Sequence, residues 1–200
     1  MGITLTLSDI YSRGPCGRES GAQHGWARLL RYLGLPYDRP DMGLVLGIED
    51  VLMANGHVDA QWCLGAVRDS RAGMTLAIPA VMRAAPISGD DRVVSCAAWV
   101  LQWCRGHTTT TGKEAVRRIA MAAARDAKSA AIASRDAIPA QDAARAVLAA
   151  VDGLAYQAAA LAEDALTAFG ERNAERKRQA EEWARLSPAR HRAQIMASVY

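Results

Sequence analysis

The fold is decided by residues 113–168, KEAVRRIAMAAARDAKSAAIASRDAIPAQDAARAVLAAVDGLAYQAAALAEDALTA. From Lys113 to Tyr200 the chain is roughly one-third alanine, the residue with the highest intrinsic helix propensity. Alanine lets helix backbones approach closely, and it carries no group that could act as a nucleophile, an acid or a ligand. The sequence therefore predicts an all-α protein, a multi-helix bundle with long alanine-rich antiparallel helices in its C-terminal half.

Two long helices are expected within this tract. Thr111 and Glu114 fit a capping box, which places the start of the first helix at Gly112 or Lys113. The second is expected to run from Pro139 to Phe169, after a break near Ile138. Its heptad spacing indicates coiled-coil-like packing, either within the chain or against a second copy, which leaves a homodimer open. The inward stripes consist of Val116, Ile119, Ala120, Ala123 and Ala127 in the first helix, and Val147, Val151, Leu154, Ala158, Leu161, Ala165 and Ala168 in the second.

Shorter helices fill the N-terminal half, where glycine, proline and acidic residues mark their ends. An N-terminal helical subdomain over residues 1–106 would precede the alanine-rich hairpin and charged arm of residues 107–200, the two forming one compact domain. The predicted helices cover Ala22–Leu33 ending at Gly34, Ile48–Ala54 ending at Asn55-Gly56, Asp59–Arg68 capped by Asp59, Met74–Ala84, and a helix from Asp90-Asp91 to Gly106.

The segment Glu171–Leu186 mixes both charge signs, and Trp183 is its large apolar anchor. It is expected to be an exposed helix, and a final short helix is expected after Ser187-Pro188. Trp26, Trp62, Trp99 and Trp103 are assigned to the core. Because Trp and Arg dominate many binding interfaces, the predicted partner-binding residues are Arg172, Arg176, Arg178, Trp183 and Arg185.

The sequence offers little chemistry. Its four histidines are scattered, and it contains no nucleophile elbow, phosphate-binding glycine loop or zinc-protease motif. The cysteines, Cys16, Cys63, Cys96 and Cys104, are too widely spaced for a zinc site and are expected to be reduced thiols. We therefore expect a protein that is not an enzyme and that needs no cofactor or metal.

The charge distribution and the hydropathy limit the classes of partner that the chain is expected to bind. The net charge is +3, with an acidic stretch over residues 38–59 and a basic middle. No apolar run is long enough to span a membrane and no signal peptide is apparent, so a cytoplasmic location is expected. The basic residues Arg117, Arg118, Arg125 and Lys128 lack aromatic neighbours, so a solvated helix face is favoured over nucleic-acid binding.

The order of short motifs resembles a family of phage and prophage proteins labelled as immunity proteins. The similar segments are Thr4–Asp9 (TLTLSD), Asn55-Gly56, Asp59–Arg68 (DAQWCLGAVR), Asp91-Arg92 with Ala98-Trp99, Arg105-Gly106 before the threonine-rich turn, the alanine-rich helices, and the charged end with Trp183. This chain departs from the family in the length of its second alanine helix and in the residues after Ser187.

The resemblance implies a phage context but no established functional residues. Phage proteins of this size without catalytic motifs commonly block host defence, so the resemblance implies a non-enzymatic inhibitor of the anti-CRISPR type. Its expected partner is a protein subunit of a host CRISPR-Cas complex in the bacterial cytoplasm. Two alternatives stay open: a toxin-neutralising immunity protein, and a nucleic-acid-binding protein that uses the basic residues of the middle segment.

Overall fold

The protein is all-α, as the alanine content predicts. The structure, a computed structural model, describes residues 3–15, 24–108, 111–168 and 172–186, although some side chains of the last range are not described. It is 76% helical, and the described residues contain ten α-helices and one two-stranded sheet. None of the described helices combines the length and the hydropathy needed to cross a bilayer.

Two compact units make up the chain: residues Met1–Arg68 with Ala180–Tyr200, and residues Asp69–Gln179. The predicted division after residue 106 does not coincide with this boundary. The helix that follows Asp69 packs on later helices of the second unit, since its small residues permit close contact. The alanine-rich helices therefore share one core with the two helices that precede them.

The first unit contains two short strands, and each is followed directly by a helix. Strand β1 (Thr4–Thr6) precedes α1 (Leu7–Ser12), and β2 (Val45–Gly47) precedes α3 (Ile48–Asn55). The strands pair antiparallel with Leu5 opposite Leu46. Each helix has an aspartate in its first turn, and its carboxylate accepts the backbone N–H of the residue before the helix: Asp9 Oδ2 from Thr6 at 2.9 Å, and Asp50 Oδ2 from Gly47 at 2.8 Å.

Glycines follow two helices of the first unit, as the sequence predicts. Helix α2 (Gly25–Tyr32) is followed by Gly34 at φ +69°, a conformation that favours glycine. Helix α4 (His57–Cys63) begins after Gly56, two residues before the Asp59 predicted to cap it, and continues as a 3-10 turn over Leu64–Ala66. The observed helix therefore ends earlier than the predicted one, which continues to Arg68.

The second unit contains the longer helices. They are α5 (Ser70–Ala84), α6 (Asp91–Cys104), α7 (Lys113–Ala133), α8 (Ile138–Asp152), α9 (Ala155–Thr167) and the first part of α10 (Arg172–Leu186). Pro79 lies inside α5, which begins four residues earlier than predicted. Gly112 rather than Thr111 caps α7, and no side-chain cap is formed there, so the predicted capping box is wrong.

The predicted second long helix, Pro139–Phe169, is wrong in one respect: Gly153 divides it into α8 and α9. Gly153 has φ +81°, its N–H donates to the Ala150 carbonyl, and the N–H of Leu154 donates to Ala149. This is the backbone pattern that ends a helix at glycine. Leu154, predicted to be in the inward stripe, is 46% exposed as a result, and α9 packs on α5 and α8.

Alanine is the commonest residue in the core of the second unit. Ala143, Ala146, Ala150, Ala158 and Ala162 are all completely buried, which requires close approach of the backbones of α8 and α9 to their neighbours. Ile119 of α7, also predicted to be inward, is 45% exposed because the buried side of α7 is the alanine row of Ala120, Ala123 and Ala124.

Candidate partner-binding groove

Helices α7 and α8 enclose an open groove of about 510 Å³. A short 3-10 turn over Arg135–Ala137 joins the two helices, which pack against each other in the antiparallel arrangement that so short a connection favours. The groove is lined by Met121, Ala124, Arg125 and Lys128 of α7 and by Gln141, Arg145 and Leu148 of α8. The intervals of three and four residues place each set on one helix face.

Local sequence explains why α7 is helical beyond its packed part. Its buried residues end at Ala124, so the segment from Arg125 to Ala133 contributes no buried side chain. Intrinsic propensity stabilises this segment, because alanine, lysine and arginine are strong helix formers. The isoleucine at position 132 is 79% exposed, the most exposed large apolar side chain among the described residues.

The groove's positive charges are largely uncompensated. Arg125 and Lys128 are exposed, and their side chains form no ion pair or hydrogen bond with the residues that the structure describes. Arg145 lies 3.7 Å from the Asp142 carboxylate, which is longer than a hydrogen-bonded ion pair. Burial raises the pKa of Asp142, an effect that Arg145 opposes and the carboxylate of Asp164 reinforces.

The other basic residues of the middle segment do not join the groove. Arg117 donates from Nε to Asp152 at 2.7 Å, and its guanidinium also contacts the Met121 sulfur at 3.3 Å. Arg118 is exposed and does not line the groove, although it lies one turn before Met121 on the same side of α7. The structure therefore divides the four basic residues of the nucleic-acid alternative: Arg125 and Lys128 line the groove, whereas Arg117 is paired with Asp152 and Arg118 lies beyond the end of the groove.

The predicted binding residues of α10 are only partly described. Arg178 and Arg185 are exposed, whereas the side chains of Arg172 and Arg176 and the helix expected after Ser187 lie outside the described residues. Trp183, predicted to be an exposed contact, is instead 1% exposed. Its ring stacks on His57 with centroids 5.2 Å apart and planes 12° from parallel, so this end of α10 is anchored within the first unit.

The tryptophan assignments change in consequence. Trp26 and Trp103 are buried as predicted, but Trp62 and Trp99 are only half-buried. Trp103 lies below the Arg71 guanidinium, 5.3 Å from its ring centroid, and the Lys113 ammonium lies 5.9 Å from that centroid. Cation–π contacts of this kind hold the start of α5 and α7 against the end of α6.

The described thiols are not activated for nucleophilic chemistry. Cys63 and Cys96 are buried and Cys104 is half-buried, and all three are free. Burial raises the pKa of Cys63 to about 12 and that of Cys104 to about 11, and it also raises the pKa of Cys96. A reactive cysteine needs the opposite shift. Cys16 lies outside the described residues, and within them no group of three His, Cys, Asp or Glu side chains could hold a metal ion.

Comparisons with family models, with curated proteins and with solved structures returned no match to this chain. The resemblance to phage immunity proteins therefore stays a prediction.

Sequence reasoning missed the groove residues of α8. Gln141, Arg145 and Leu148 recur at intervals of four and three, which is a signal that the sequence carries. What it did not reveal was that this face of α8 lies beside Arg125 and Lys128 of α7.

Proposed function

We propose that this chain is a phage-encoded, non-enzymatic inhibitor of a bacterial defence complex, of the anti-CRISPR type, which acts by binding a protein subunit. The observation that supports this most is the α7–α8 groove, where an apolar floor adjoins Arg125 and Lys128, two cations that have no ion-pair partner among the described residues. Exposed charges beside half-buried apolar side chains are the chemistry of a contact surface, whereas a core would bury or pair them.

The rigidity of the unit that carries the groove supports the same proposal. One wall of the groove is α8, which packs through completely buried alanines such as Ala143, Ala146 and Ala150, so the side chains of that wall project from a backbone with little freedom to shift. A pre-organised surface loses less conformational entropy when it binds. The motifs shared with phage proteins supply the expected context, and the defence complex is the partner they imply.

A plaque assay tests the proposal. A host with an active CRISPR-Cas system that targets a phage should be plated with that phage, with and without expression of this protein, beside an isogenic host whose system is deleted. We expect expression to raise plating efficiency by at least about tenfold in the targeting host only, since inhibition at nanomolar affinity leaves few free complexes.

The outcome that would contradict the proposal is equal plating in the presence and absence of the protein across hosts that represent the main CRISPR-Cas types. Rescue of cells from a specific co-expressed toxin, with no change in plating, would instead favour the toxin-neutralising alternative. Purified protein should also co-elute with the inhibited complex, which distinguishes direct binding from reduced expression of that complex.

A further inference from the structure

The α7–α8 groove has a pattern along its length that specifies its occupant. In the antiparallel register, Met121 and Leu148 lie at one end and Arg125 and Arg145 in the middle. Lys128 and Gln141 follow. One helical turn beyond them, on the same faces, are Ile132 of α7 and Ile138 of α8, which are 79% and 44% exposed. The order is apolar, cationic, apolar.

This pattern has a definite size. From Met121 to Ile132 an α-helix rises about 16 Å, or three turns. A helical segment of matching length would place side chains at intervals of three and four residues against the groove. An extended segment of the same length would present every second residue to the groove. That spacing does not match the groove positions of α7, which recur at intervals of three and four residues.

The charge pattern selects among occupants. A second copy of this chain, docked through the same surface, would bring Arg125, Lys128 and Arg145 against their own equivalents, and like charges in contact are unfavourable. Nucleic acid would satisfy the cations through its phosphates but would leave Met121, Leu148 and Ile132 without apolar partners. An acidic protein helix with apolar side chains satisfies both parts of the surface.

We infer that the groove binds an amphipathic helix of the partner protein, about three turns long, with carboxylates at the centre of one face and apolar side chains on either side of them. The inference rests on the proposed function in that this helix belongs to the inhibited subunit. The carboxylates pair with Arg125, Lys128 and Arg145, and the apolar side chains cover Met121 with Leu148 at one end and Ile132 at the other.

Asp142 adjusts the strength of this site. Its carboxylate lies 3.7 Å from the Arg145 guanidinium, so it competes with the incoming carboxylates for that group. Replacing it with asparagine removes a repulsion and leaves Arg145 wholly available to the ligand. A variant that binds more tightly cannot be explained by loss of folding, so Asp142→Asn keeps the test independent of stability.

The experiment measures binding of fluorescein-labelled helical peptides of about 18 residues to the full-length protein by fluorescence anisotropy, since shorter helices are marginal in water. The first peptide has glutamates at the centre of one face and leucines on either side, the second has lysines in place of those glutamates, and the third probe is single-stranded DNA. The protein variants are Lys128→Glu, Arg125→Glu and Asp142→Asn. Arg105→Glu is the control, because Arg105 is an exposed cation at the end of α6 and does not line the groove.

We expect the acidic peptide alone to bind, with affinity that falls about tenfold in each groove charge reversal, rises about twofold in Asp142→Asn and is unchanged in Arg105→Glu. Equal binding of the lysine peptide, or binding insensitive to Lys128→Glu, would overturn the inference. Tighter binding of DNA that Arg125→Glu removes would assign the groove to nucleic acid, and a concentration-dependent dimer that Lys128→Glu dissolves would assign it to a second copy.

The two proposals fail separately. Plaque protection without peptide binding would reject the acidic helix and leave the inhibitor function standing. Peptide binding with the full variant pattern, but without plaque protection, would leave the acidic helix standing and reject the inhibitor function.

Discussion

Replacing Trp183 with alanine is expected to lower the free energy of unfolding by about 3–5 kcal/mol. Its side chain is 1% exposed and stacks on His57, so truncation removes a large apolar area and leaves a cavity within the first unit. This is the opposite of the effect that the sequence suggested, in which Trp183 would contact a partner and Trp62 would belong to the core.

Trp62→Ala is the matched control, because Trp62 is half-buried and belongs to the same unit. We expect it to cost no more than about 2 kcal/mol, since part of the side chain remains in water when folded. Urea unfolding of both variants, followed by circular dichroism, compares the two values. A larger loss for Trp62→Ala than for Trp183→Ala would show that α10 is not anchored by its tryptophan.

Enlarging one buried alanine should also have a large effect. Ala158 of α9 is completely buried in a unit where α9 packs on both α5 and α8. The three extra carbons of leucine have no space there, so Ala158→Leu is expected to cost about 2–3 kcal/mol through displaced backbone.

Ala130→Leu supplies the control for that prediction. Ala130 lies on the exposed part of α7, and leucine is nearly as good a helix former as alanine, so the change in stability should stay within about 0.5 kcal/mol. Equal unfolding midpoints for the two leucine variants would contradict the account of a core closed by alanine–alanine contacts.

Local signals explain which parts of the fold could be predicted. Gly34 and Gly106 end helices as expected. A helix end of this kind needs only a glycine with positive φ, so it depends on local backbone conformation and not on tertiary packing. Gly153 satisfies the same requirement, but the apolar heptads on either side of it suggested a continuous helix. At this position the preference of glycine for a positive φ outweighed the heptad spacing of the apolar side chains, and the chain forms two helices, α8 and α9.

Other features depended on tertiary packing. A tryptophan on a charged helix is compatible with a partner interface and with the protein's own core. Trp183 belongs to the core because its ring stacks on His57, a contact that the sequence does not reveal. The groove required knowing which faces of α7 and α8 adjoin. The charges of Arg125 and Lys128 were evident in the sequence, but Arg145 and the apolar floor beside them were not.

The measurement that tests the central claim most directly is the plating efficiency of a targeted phage in hosts that express the groove double variant Arg125→Glu/Lys128→Glu. The wild-type protein and Arg105→Glu are expressed at equal levels beside it, with the circular dichroism melt of each recorded. Our account predicts that the double variant folds and loses at least about tenfold in protection, because two attractive contacts become repulsive, while Arg105→Glu protects fully. Full protection by a folded double variant would show that the protein does not act through this groove.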